Sequence, residues 1–186
     1  LSKKNQDKTV DFSIYVSELF KVRFSALEKD KIVEEFIANQ DAFNALIDYI
    51  LIDQKPFNIG PSWVLSYAGV KRPQWFFYRL HDLTSVLNTN TYPALYRALS
   101  RVLKLVEIPF DKTGLVIDLC MKWLENPNQS VAVKSFSIHT LSKLMVLIPE
   151  LCPELKYRIE SILPYSSSGI KNAGNKILIK IKEMGY

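Results

Sequence analysis

Ser130-Val131-Ala132-Val133-Lys134-Ser135-Phe136 opens one apolar stretch, and 37 residues further on Ser167-Ser168-Gly169-Ile170-Lys171-Asn172-Ala173 opens another. Pro93-Ala94-Leu95-Tyr96-Arg97-Ala98-Leu99 lies the same 37 residues before the first. Each segment sets a basic side chain, Arg97, Lys134 or Lys171, near the start of an amphipathic run. Leu103, Thr140 and Ile177 share the register, as do Tyr67, Lys104, Leu141 and Leu178. The basic position lapses one step further back, where residue 60 is a glycine. A fixed period of roughly 20–50 residues marks a repeat architecture, because one such unit cannot bury its apolar face alone and needs a stacked neighbour. The fold class that follows is all-α, a right-handed α-α superhelix of about four helix pairs behind an N-terminal helical cap. Residues 1–40 are expected to form the tail and capping helices, and residues 41–186 the repeat array, within a single domain.

Punctuation along the chain supports helices rather than strands. Residues 1–11 are polar and read as a tail. Over 12–24 the apolar period is mixed, which suggests a short helix or extended chain, whereas Ile32, Val33, Phe36 and Ile37 define a helix over 28–39. Asp41 is the expected N-cap of a helix reaching Asp53. Pro61 suits the first turn of a helix over 60–70, and Pro73 restarts one that runs to about Leu87. Asn88-Thr89-Asn90-Thr91 reads as a turn. Further helices are expected over about 92–107, 112–125, 130–147, from Pro149 to about Leu163, and 169–183, with prolines at the joints. That makes about nine to ten helices with short connections.

The chain has 186 residues, is 48% hydrophobic and 23% charged, and carries a formal net charge of +5. This composition excludes a mainly disordered chain. The basic surplus permits an acidic partner without demanding one. No apolar run approaches the roughly 18–20 residues that span a bilayer, and the N-terminus lacks the apolar core of a signal peptide, so no membrane contact and a cytoplasmic location are expected. Cys120 and Cys152 sit among apolar neighbours and read as two buried thiols that cannot form a zinc site by themselves. The two histidines, two cysteines and scattered serines show no activating spacing. There is also no Gly-rich phosphate loop and no His-Glu-x-x-His motif. No catalytic residue, metal or cofactor is therefore assigned.

An apolar residue followed by Arg or Lys, after a turn rich in Asp or Asn, resembles the start of the second helix in HEAT repeats. The carriers are Tyr96-Arg97, Asn128 through Val133-Lys134, and Ile170-Lys171. The resemblance covers roughly residues 41–184. Trp123-Leu124, Val131-Ala132-Val133-Lys134, Pro153-Glu154-Leu155-Lys156 and Lys176-Ile177-Leu178 also resemble a family of short Bacteroidetes proteins whose members often carry the label adenylosuccinate lyase. That label implies a lyase loop of the pattern Ser-Ser-x-Met-Pro-x-Lys-x-Asn. Its nearest counterpart here, Ser167-Ser168-Gly169-Ile170-Lys171-Asn172, lacks the Met-Pro, and His81 and His139 lie in no lyase-like context.

Three features are candidate binding elements. Arg97, Lys134 and Lys171, joined by Arg101 and Lys176, form either a row that meets acidic groups or a structural ladder neutralised by carboxylates. Trp63 and Tyr67, with Trp75, Phe76, Phe77 and Tyr78, form either core or an aromatic surface. The segment 156–182 carries six basic residues against Glu160 alone, which suits a solvated capping helix or a partner surface. The first functional expectation is a non-enzymatic binding or scaffold protein that uses a concave, partly basic face for a protein or peptide partner. The alternative is nucleic-acid binding that resembles the HEAT-like DNA glycosylases acting on alkylated bases, although no catalytic carboxylate can be placed.

Overall fold

A computed structural model of the protein describes residues 11–22, 25–52, 59–88 and 93–186. Among them there are eleven α-helices and no strands. The chain divides into two compact units, residues 1–90 and 91–186. The expected N-terminal tail and the turn at 89–91 lie outside the described residues.

The first unit holds α1 (Phe12–Leu19), α2 (Ala26–Ala38), α3 (Gln40–Ile52), α4 (Ile59–Lys71), α5 (Pro73–Tyr78) and α6 (Leu80–Ser85). Local chemistry sets the starts. Asp11 accepts from the Ser13 and Ile14 amides at 3.0 and 3.4 Å. At α2, Ser25 and Glu28 form a reciprocal capping box, and the hydrogen bond that the Ser25 amide donates is the main cause holding the Glu28 carboxyl below its usual range. Such caps satisfy amides that have no intrahelical partner and are each worth about 1 kcal/mol. For α3 the cap differs from expectation: Asn39, not Asp41, accepts from the Asp41 and Ala42 amides, at 2.7 and 3.4 Å. Helix α1 packs on α3 and α2 on α4, so helices two apart in sequence stack directly. Phe36, Phe43, Leu46, Leu65 and Phe76 fill the core. Lys71 of α4 pairs with Glu34 of α2 across the same 37-residue interval, and Arg72 Nε donates to the Ile37 carbonyl at 2.8 Å.

The single helix expected from Pro73 to Leu87 is broken at Arg79, whose φ of −101° and ψ of 6° leave the helical basin. The guanidinium there is drawn to two carboxylates, Asp48 of α3 and Asp82 of α6, each at 2.6 Å.

The second unit holds α7 (Pro93–Leu105), α8 (Thr113–Glu125), α9 (Val131–Leu147), α10 (Cys152–Ile162) and α11 (Ser168–Glu183), with 3-10 turns at Phe110–Lys112, Pro149–Leu151 and Leu163–Tyr165. Helix α9 packs against α7, α8 and α11, and α10 packs against α8 and α11. One layer is therefore α7–α9–α11 and the other α8–α10. The repeat register is visible in the caps. Ser130 and Ser167, 37 residues apart, are both extended N-caps, and their carbonyls accept the amides of Lys134 and Lys171 at 3.1 and 2.9 Å. Because α9 is enclosed on several sides, its polar residues fold back. Ser137 and Thr140, both fully buried, donate to the Val133 and Phe136 carbonyls at 2.9 and 3.0 Å. Cys120 and Cys152 are buried thiols, and burial pushes Cys120 up to about 12.

Gly174 lets α11 approach α10. A Cβ built there would lie 2.8 Å from Leu163 Cδ2 and 3.0 Å from Ile159 Cγ2. Alanine would gain about 1 kcal/mol of helix propensity, which offsets part of that clash. Valine has no such compensation. Gly174→Val is expected to destabilise the protein by about 2–3 kcal/mol through overpacking, read as a lowered urea midpoint in equilibrium unfolding.

Candidate functional site

The three residues that mark the repeat fall on three consecutively stacked helices. Arg97 is the fifth residue of α7, Lys134 the fourth of α9 and Lys171 the fourth of α11. Packed helix axes lie about 8–10 Å apart, which sets the spacing of the row. Arg101 and Lys104 follow Arg97 at helical intervals along one side of α7. Arg97, Lys171 and Lys176 are exposed, while Lys134 and Arg101 are half-buried.

Charge divides by layer. Helices α7, α9 and α11 carry Arg97, Arg101, Lys104, Lys134, Lys143, Lys171, Lys176, Lys180 and Lys182, against the single acid Glu183 at the end of α11. Helices α8 and α10 carry Asp118, Glu125, Glu154 and Glu160 against Lys122, Lys156 and Arg158. Arg158 is engaged with Glu125 and Glu154 inside that second layer. Among the described residues no carboxylate pairs with Arg97, Lys134 or Lys171. Arg97, Lys134 and Lys171 are therefore not neutralised by a carboxylate ladder among the described residues.

Lys134 and Lys143, both on α9, separate a structural lysine from an unpaired one. Lys143 Nζ donates to the carbonyls of Leu103, Lys104 and Val106 at 3.0, 2.8 and 2.7 Å, closing the C-terminal end of α7. Lys134 has no such acceptor among the described residues. Burial lowers its pKa, and its place in the first turn sets it against the positive end of the helix dipole. The folded pKa is depressed, so this group's contribution to stability is complete only above the unfolded pKa and is lost as pH falls through the folded one. At neutral pH the cost is fully present. Lys134→Met is therefore expected to raise stability by about 0.5–1 kcal/mol, seen as a higher melting temperature.

A second row crosses the same helices. Lys104 Nζ stands 4.8 Å from the centre of the Phe136 ring. His139, one turn beyond Phe136 and exposed, has its pKa lowered by burial and then by Lys104 of α7 and Lys176 of α11. Sequence reasoning placed Lys176 in the basic set but took His139 as a lone residue and left out Lys104 as a site.

The aromatic candidates belong to the first unit. Phe76 and Phe77 are buried core. Trp63 and Tyr67, both half-buried on α4, pack their rings 4.3 Å apart, with Lys29 Nζ 4.8 Å from the Trp63 ring. Trp75 meets Phe43 edge-on and lies beneath Arg72, and only Tyr78 of the set is exposed. The other rings of the set are engaged with aromatic neighbours or with cations of their own unit. Among the described residues, no group of three or more His, Cys, Asp or Glu could hold a metal ion, and no helix is long and apolar enough to cross a membrane.

Helices stacked on the neighbour two places along, at a 37-residue interval with matching caps, define an α-helical repeat protein. The chain belongs to the HEAT repeat domain family, whose family model matches residues 16–181. No curated protein and no solved structure matches it.

Proposed function

We propose that the protein is a non-enzymatic scaffold that holds an acidic protein or peptide segment on the α7–α9–α11 layer. Arg97, Arg101, Lys134 and Lys171 serve as charge-assisted donors to its carboxylates, and Lys176 extends the row. The observation that carries this reading is the separation of charge between layers: α7, α9 and α11 carry nine basic residues against one acid, whereas α8 and α10 carry three against four. Basic residues kept at helix starts, where the dipole opposes them, fit a surface selected for a partner rather than for stability. Trp63 and Tyr67, packed on each other in the first unit, are not assigned to this surface.

The same observation favours a second reading, in which the partner is nucleic acid, since a basic stripe is also the footprint of a phosphate backbone. A salt titration separates the two. The full chain is titrated with a glutamate-rich peptide and with a duplex oligonucleotide at several salt concentrations. The scaffold reading expects saturable binding of the peptide and only weak binding of the duplex. Tight duplex binding, with a slope of about −0.9 per phosphate contact, would replace it with the second reading. Binding of neither would refute both.

A further inference from the structure

The row of Lys104, His139 and Lys176 narrows what the basic layer can recognise, and it rests on the reading of that layer as an anion-binding face. Three adjacent helices each supply one nitrogen group. Lys104 reaches across from α7 to stand over Phe136 of α9 at 4.8 Å. Phe136 and His139, three residues apart, share one side of α9. Lys176 sits on α11, which packs against α9, in the 37-residue register of His139. We propose that Lys104, His139 and Lys176 form a proton-coupled subsite for a doubly charged tetrahedral oxyanion, such as a phosphomonoester carried on an acidic partner segment.

In the free protein, burial and the two ammonium groups favour the neutral imidazole. An oxyanion seated between the lysines reverses the sign of the local charge. His139 then takes one proton from solvent, becomes a donor at both ring nitrogens, and adds a third positive group to the site. The charges acting on His139 are those of Lys104 and Lys176, while Glu107 acts on Lys143 one turn further along and Glu150, in the 3-10 turn packed against α9, acts on Cys152. From α8, Cys120 faces Ser137 and Thr140 and stays a neutral thiol.

The chain has only two histidines, His81 and His139, so their imidazole NMR signals are assigned with a single His139→Gln variant. Sodium sulfate is the probe, compared with sodium chloride at equal ionic strength. Sulfate keeps both charges across the pH range, so any pH dependence belongs to the protein. His139 is expected to titrate below the ordinary histidine range in chloride and to rise in sulfate. Sulfate affinity should grow several-fold from about pH 8 to about pH 6, and His139→Gln should abolish that growth. Lys176→Gln should raise the His139 pKa in chloride and shrink its response to sulfate. At pH 7 a phosphoserine-bearing acidic peptide is expected to bind about tenfold tighter than its unphosphorylated twin.

A His139 pKa that does not move in sulfate, or that moves only as His81 does, overturns the subsite. Equal affinities for the two peptides overturn the phosphomonoester assignment. If the unphosphorylated peptide still binds with normal salt dependence, the basic face stands and only the subsite fails.

Discussion

Replacing Arg97, Lys134 and Lys171 together by glutamate is expected to weaken binding of a glutamate-rich peptide by about 100-fold or more while leaving the fold intact. Each charge-assisted contact on a partly exposed surface is worth about 1 kcal/mol, and reversal adds repulsion to the loss, so three positions exceed about 3 kcal/mol. Unfolding would not explain such a loss. None of the three side chains has an ion-pair partner among the described residues, so reversal strands no carboxylate. At Arg97 and Lys171, both exposed near helix starts, glutamate is favoured by the dipole by about 0.3–1 kcal/mol each. The melting temperature should therefore hold or rise. The control is Lys31, Lys112 and Lys156 to glutamate, which makes the same change in net charge with residues that belong to none of α7, α9 and α11. If the control weakens binding as much as the row variant, net charge and not the row is responsible. Fluorescence anisotropy with a labelled peptide, beside thermal melts of all three proteins, reads both quantities.

The parts of this arrangement that could be read from sequence are the ones decided within a few residues. Ser130 and Ser167 cap their helices through their own turns, so the 37-residue register appeared in the letters and again in the backbone. Pro61, Pro73 and Pro93 mark helix starts for an equally local reason. Features set across the fold were not legible. At the break, Arg79 pairs with Asp48, 31 residues earlier, and no local pattern shows that contact. The shift of the α3 cap to Asn39 was a choice between two good capping residues two positions apart. His139 looked isolated because its neighbours, Lys104 and Lys176, belong to other helices. Lys143 was overlooked for a different reason: its partners are backbone carbonyls, which carry no sequence signature.

Lys143→Met should destabilise the second unit by about 2–3 kcal/mol, the largest loss expected from any basic residue of the α7–α9–α11 layer. The last carbonyls of a helix have no intrahelical donor and need water or a side chain. Here one ammonium group serves two of them, at Leu103 and Lys104, and the Val106 carbonyl just past the helix, where Leu103 and Val106 are buried residues and water has limited access. Methionine keeps the length and apolar stem of lysine, so packing changes little and the deficit reports the lost donors. Hydrogen bonds from a charged donor are each worth about 1.5–3 kcal/mol, but burial of the ammonium offsets part of that sum, which brings the net to the figure given. The contrast with Lys134→Met is the decisive comparison. The two lysines lie on one helix and undergo the same substitution, yet the shifts should have opposite sign: a lower urea midpoint for Lys143→Met and a higher one for Lys134→Met. A stabilising Lys143→Met would mean that the three carbonyls are satisfied without it. A destabilising Lys134→Met would give that residue a structural role and remove the main reason to regard the row as kept for a partner.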